Sequence, residues 1–110
     1  MQSITWEDFE KIDLRAGTIT RAGRFEEAKT PAYKLWIDFG GTLGVKKTSA
    51  QITNYDLNHL VGLQVICVVN FEPKQVANFM SEVLVTGFVL ENKTILSAPK
   101  SLVPNGTAMR

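Results

Sequence analysis

Apolar side chains recur at every second position from Tyr33 to Phe39, at Tyr33, Leu35, Ile37 and Phe39, with Lys34, Trp36 and Asp38 between them. A period of two predicts a strand with one face on the core, and places Lys34, Trp36 and Asp38 on the outward side. From Leu14 to Arg21 small and β-branched residues alternate with charges, which predicts an earlier strand; Gly23 to Ala32, polar and holding Pro31, connects the two. Gly40-Gly41 predicts a hairpin turn into a third strand. There the apolar positions are odd at Leu43 and Val45 but even at Ala50 and Ile52. A one-residue bulge at Lys46-Lys47-Thr48-Ser49 would account for that change of register.

Ahead of these strands, Thr5-Trp6-Glu7-Asp8 combines a capping hydroxyl with acids suited to the positive end of a helix, and predicts a short helix from Trp6 to Lys11. Trp6 and Phe9, three apart, share a side that faces either the body of the domain or a partner chain, and of the two ordinary core packing is the expected role. Further on, Asn54 to Gly62 reads as a short helical or turn segment, and Leu63 to Asn70 is nearly continuous apolar, as a central strand would be. Glu82 to Leu90 predicts one more strand, Glu91-Asn92-Lys93 a turn and Thr94 to Leu96 a last short strand, after which Pro99, Pro104 and Asn105-Gly106 keep the tail irregular. Five or six short strands with brief helices define the expected fold class as all-β, a small barrel with a short N-terminal helix. The chain of 110 residues is sized for one domain, residues 1–110.

Charge changes this picture locally. The net charge is only +1, but residues 1–13 carry four acids against Lys11, which leaves +4 on the remainder and room for a basic face. The segments Val65 to Val69 and Val83 to Leu90 are too short to cross a bilayer, and the N-terminus lacks the basic start and apolar run of a secretory signal. The expectation is a cytoplasmic protein with no membrane contact.

Catalytic and metal chemistry find little support. His59 is the one histidine and Cys67 the one cysteine, so no ligand spacing for a metal and no internal disulfide arise. Cys67 lies in an apolar run and reads as a buried structural residue. Gly40-Gly41-Thr42-Leu43-Gly44 lacks the lysine and helix of a phosphate-binding loop. No cofactor and no enzyme activity are expected. What remains is Lys34 beside Trp36, Lys46 and Lys47, and Lys74 after Asn70-Phe71: cations and aromatics of the kind that track a nucleic-acid backbone on a barrel face.

Three blocks sharpen the reading: Phe9-Glu10-Lys11-Ile12-Asp13-Leu14-Arg15-Ala16-Gly17-Thr18-Ile19, Lys46-Lys47-Thr48-Ser49-Ala50-Gln51-Ile52-Thr53, and Val68-Val69-Asn70-Phe71-Glu72-Pro73 leading to Ser81-Glu82-Val83-Leu84. In order and spacing, together with the Pro104-Asn105-Gly106 tail, they resemble the CsaA family of tRNA-binding-domain proteins. The resemblance implies an oligonucleotide/oligosaccharide-binding (OB) Greek-key barrel, a homodimer and tRNA as partner. It also implies an alternative role, an export-related chaperone binding unfolded or pre-secretory polypeptides. Carried onto this chain, it makes Arg15, Lys46, Lys47, Ser49, Gln51, Asn70, Lys74 and Ser81 candidate RNA contacts, beside Lys34 from the strand pattern. Where relatives carry more bases and a glycine before the serine, this chain has Gln75 to Met80, so Phe79 and Met80 become candidate peptide contacts if exposed.

Overall fold

A computed structural model describes residues 1–110. Thr5 caps helix α1 (Trp6–Glu10): its Oγ1 accepts from the Asp8 backbone at 3.1 Å while the Asp8 carboxylate accepts from the Thr5 backbone at 3.2 Å. This reciprocal box is the start signal the sequence carries. The expected core packing of Trp6 and Phe9 does not occur. No residue of α1 is buried, and Trp6 is 86% exposed, because a helix of five residues ends before its apolar side reaches another element of this chain.

The body is a sheet of β1 (Leu14–Arg24), β2 (Tyr33–Asp38), β3 (Val45–Ala50), β4 (Gln64–Val68) and β7 (Leu84–Val85), in the antiparallel order β3-β2-β1-β4-β7. It curls until β3 meets Ser81–Val83, where the Glu82 backbone donates to the Lys47 carbonyl at 2.8 Å, giving a nearly closed five-stranded barrel, the OB-type Greek key expected. Two small hairpins form separate two-stranded sheets: β5 (Lys74–Val76) with β6 (Phe79–Ser81), and β8 (Gly87–Val89) with β9 (Thr94–Leu96). A short β10 (Ala108–Met109) returns along β1.

Odd residues of β2 point inward as their period requires. Leu35, Ile37 and Phe39 are buried and pack with Ile19, Ile52, Leu60, Val65, Cys67 and Val83. All five residues of β4 are buried between its two neighbours. Burial pushes the Cys67 thiol up to about 12, which leaves it a protonated, inert core residue. The turn after β2 runs through Gly40 and Gly41 at φ 62° and 44°, values that side chains resist.

The bulge is not where the pattern put it. β3 pairs with β2 in unbroken register from Tyr33↔Ala50 to Asp38↔Val45. Leu43 belongs to the turn, Val45 is exposed, and the inward position of mid-strand is Thr48, whose polarity hid the even period. Its buried hydroxyl is satisfied by the Val83 carbonyl at 2.6 Å and by Ser81 Oγ at 2.7 Å. The irregularity lies in β1 instead, between Ile19 and Arg21. The run Glu82 to Leu90 is likewise two strands: Thr86 leaves the ladder between them, bonding Ile66 and Ser97. No helix is long and apolar enough to cross a membrane.

Candidate nucleic-acid interface

Directly paired residues in a sheet project from the same face. Trp36 pairs with Arg21 on one side and Lys47 on the other, and Lys34 pairs with Gly23 and Ser49, so these side chains share the outer face of β1–β2–β3. The β5–β6 hairpin packs onto that face. Its Phe79 is 7% exposed and meets Phe25 and Trp36 edge to face, with ring centroids 5.6 and 5.9 Å apart. Cations are arranged around this small aromatic cluster. The Lys34 ammonium lies 4.9 Å from the Phe25 centroid and 5.1 Å from that of Phe79, the Lys47 ammonium 5.1 Å from Phe79, and the Arg21 guanidinium 4.4 Å from the Trp36 ring. Such contacts hold cations in place through the ring quadrupole. Lys34 also faces Glu27 at 4.0 Å, whereas Arg21 and Lys47 make no ion pair.

The hairpin is pinned by its last residues. Ser81 Oγ accepts from the Ser49 backbone at 3.1 Å, and a Glu82 carboxylate oxygen accepts from the Lys47 backbone at 3.0 Å. Ser81 therefore closes the barrel beside Lys47, and its hydroxyl already has protein partners. Lys74 pairs with Ser81 and shares the hairpin side that carries Phe79 and Val76, while Gln75 and Met80 take the other side. Gln51 is exposed just beyond β3.

Not all sequence candidates meet here. Lys46 and Lys47 are adjacent in a regular strand, so they project to opposite faces, and Lys46 shares the Ile37 side. The expectation that both cations sit side by side at a bulge is corrected accordingly. Arg15 and Asn70 belong to the joint between α1 and β1. Arg15 donates to Asp13 at 2.7 Å and to the Gly106 carbonyl at 3.1 Å, and the carboxylate raises its pKa further. The Asn70 amide donates to the Lys11 carbonyl at 2.7 Å and its oxygen accepts from the Asp13 backbone at 3.0 Å. Six residue steps along β1 separate Arg15 from Arg21, on the order of 20 Å of strand.

Residues 14–108 match the family described as a putative tRNA binding domain. The crystal structure of chaperone CsaA from Bacillus anthracis str. Ames is 50% identical and covers 99% of this chain and 100% of its own, with a TM-score of 0.93. This chain belongs to the CsaA family of tRNA-binding-domain proteins. The CsaA chaperone protein of Picrophilus torridus is 48% identical with the same TM-score, over 98% of this chain and 100% of that one. The methionine–tRNA ligase of Methanothrix thermoacetophila is 28% identical over 107 residues, 97% of this chain but 16% of the ligase. The chain thus spans about a sixth of the length of the curated relatives it matches.

Within this CsaA-type barrel, Phe79 is not the exposed residue that a peptide contact requires; only Met80, at 38%, reaches solvent. Sequence reasoning also missed Phe25 and Arg21. Phe25 sat in a polar connection with no period to mark it, and Arg21 reaches the outer face only through the irregularity in β1.

Proposed function

We propose that this chain is a non-catalytic tRNA-binding protein that receives RNA on the outer face of β1–β2–β3, in the cytoplasm. The observation that carries the reading is the placement of the Lys34 and Lys47 ammonium groups over one Phe79 ring, between the β1–β2 loop and the β5–β6 hairpin. Strands two and three with the flanking loops are where OB barrels take oligonucleotides. Lys74, Ser49 and Gln51 extend the polar surface, and the family match to a tRNA-binding domain supplies the ligand class. Equilibrium binding of bulk tRNA, measured from about 50 to 200 mM salt, tests the reading: phosphate contacts make affinity fall steeply over that range. Absence of binding at the low end contradicts it.

A second reading, a chaperone holding unfolded or export-bound polypeptide, is supported by the names of the two similar CsaA structures and by exposed Phe88, Val89 and Leu102. Phe79 is buried and takes no part in such a surface; Met80 is exposed and open to it.

We further propose a homodimer. Trp6, Phe9 and Ile12 form an apolar surface that this chain leaves uncovered, and a C2 pairing would bury it. Light scattering at micromolar concentration is expected to return twice the 12.2 kDa chain mass, and Trp6→Lys to shift the protein toward monomer. A wild-type monomer contradicts the proposal.

A further inference from the structure

The irregularity in β1 decides which cation the RNA face presents. Ile19 pairs with Ile37 and Arg21 with Trp36, so Thr20 and Arg21 together oppose a single residue of β2. This is a β-bulge, and the Thr20 hydroxyl bonds the Trp36 carbonyl at 3.2 Å within it. In unbroken register Thr20 would oppose Trp36, and Arg21 would oppose Leu35, which has no exposed surface at all. The extra residue therefore turns Arg21 away from the core and sets it over the indole of Trp36, in one cross-strand row with Trp36 and Lys47.

Resting on the tRNA reading above, we infer that Arg21 is a further RNA-contacting residue, and that the Arg21, Lys34 and Lys47 cations engage phosphates without stacking of bases. Two observations favour phosphates. The rings are engaged: Phe25 and Phe79 are buried, and half-buried Trp36 carries the Arg21 guanidinium over its ring and meets Phe79 edge to face. Base stacking needs a free aromatic face, and none of these three offers one. Of the three cations, Arg21 is the one open to solvent, with Lys34 and Lys47 half-buried beside it. Arg21 is exposed and has no carboxylate in ion-pair range, while Lys34 is partly neutralised by Glu27. A guanidinium already held over an indole loses little freedom on meeting a phosphate, and its fork matches two phosphate oxygens.

Arg21→Met keeps a side chain of similar reach over Trp36 and removes the charge; Arg21→Gln is the polar counterpart, and Arg21→Lys restores the charge. For each, the slope of log affinity against log salt is measured with two tRNAs of different sequence, and folding is checked by thermal melting. Both uncharged variants are expected to lower the slope by about 0.7–0.9 and to weaken the two tRNAs equally, with Arg21→Lys returning the slope toward wild type. Wild-type binding with an unchanged slope in Arg21→Met and Arg21→Gln overturns the assignment of Arg21 alone. Loss of affinity for only one tRNA overturns the phosphate contact in favour of base readout. A wild type that binds no tRNA at about 50 mM salt overturns the tRNA reading itself.

Discussion

Phe79→Ser is expected to cost about 3–5 kcal/mol, a large share of the stability of a small domain. The ring is 7% exposed and joins the β5–β6 hairpin to Phe25 and Trp36, with Ala32, Ala28 and Val76 around them. Serine leaves a cavity and a hydroxyl where an aromatic contact held the hairpin down. Because Lys34 and Lys47 both lie over this ring, the same change is expected to loosen them and, on the proposed function, to weaken tRNA binding. Met80→Ser, on the opposite side of the hairpin and 38% exposed, should remain within about 0.5 kcal/mol of wild type. Urea unfolding of the two variants checks the contrast. Equal midpoints would mean that Phe79 is not part of the packed structure.

Gly106→Ala is the second large effect. The residue has φ 87°, and a Cβ built there would lie 2.5 Å from the Phe39 carbonyl oxygen. The contact does not relax by rotating a side chain, since the neighbour is backbone. Left-handed strain of roughly 1–2 kcal/mol and displacement of roughly 1–3 kcal/mol add to a loss of about 2–5 kcal/mol. The segment matters because it straps the C-terminal end across β1 and β4. The Gly106 backbone donates to the Ala16 carbonyl at 2.7 Å, Thr18 donates to Asn105 at 2.7 Å, and the Gln64 amide reaches the Val103 carbonyl at 2.6 Å. Gly23→Ala is the control: nothing lies within 4 Å of its added Cβ, and its melting temperature should stay near wild type. Thermal melting of both variants decides the matter, and a Gly106→Ala protein as stable as Gly23→Ala would contradict the strap.

The parts of the fold that follow from a local period were legible in the sequence. The alternation from Tyr33 to Phe39 and the apolar run Leu63 to Asn70 became β2 and β4 because each strand's burial repeats along its own length. Features set by pairing between distant segments were not. Thr48 occupies a core position only because Ser81 and Val83, more than thirty residues away, satisfy its hydroxyl, and its polarity moved the apparent bulge to the wrong strand. The β5–β6 hairpin carries no glycine or proline at its turn; it passes through Ala77 at φ 51°, a left-handed position where glycine or asparagine is usual and alanine gives no signal. Its docking buried Phe79, which an isolated reading leaves exposed.

The candidate site divided along the same line. Lys34, Lys47, Ser49, Lys74 and Ser81 come together because strand pairing puts them there. Arg15 and Asn70, carried over from a motif, are engaged in hydrogen bonds at the α1–β1 joint. Arg21 entered the face through a bulge that only the pairing of β1 with β2 defines.

The proposed function has tRNA held by the cations on the outer face of β1–β2–β3. Its most direct test is the salt dependence of tRNA binding by the wild type and by the Lys34→Gln, Lys47→Gln double variant, both confirmed folded by melting. Four contacts, from Arg21, Lys34, Lys47 and Lys74, give the wild type a slope of log affinity against log salt of about −3, and loss of two brings it to about −1.5. Parallel slopes for the two proteins would contradict the account, and would place whatever RNA binding remains elsewhere on the barrel.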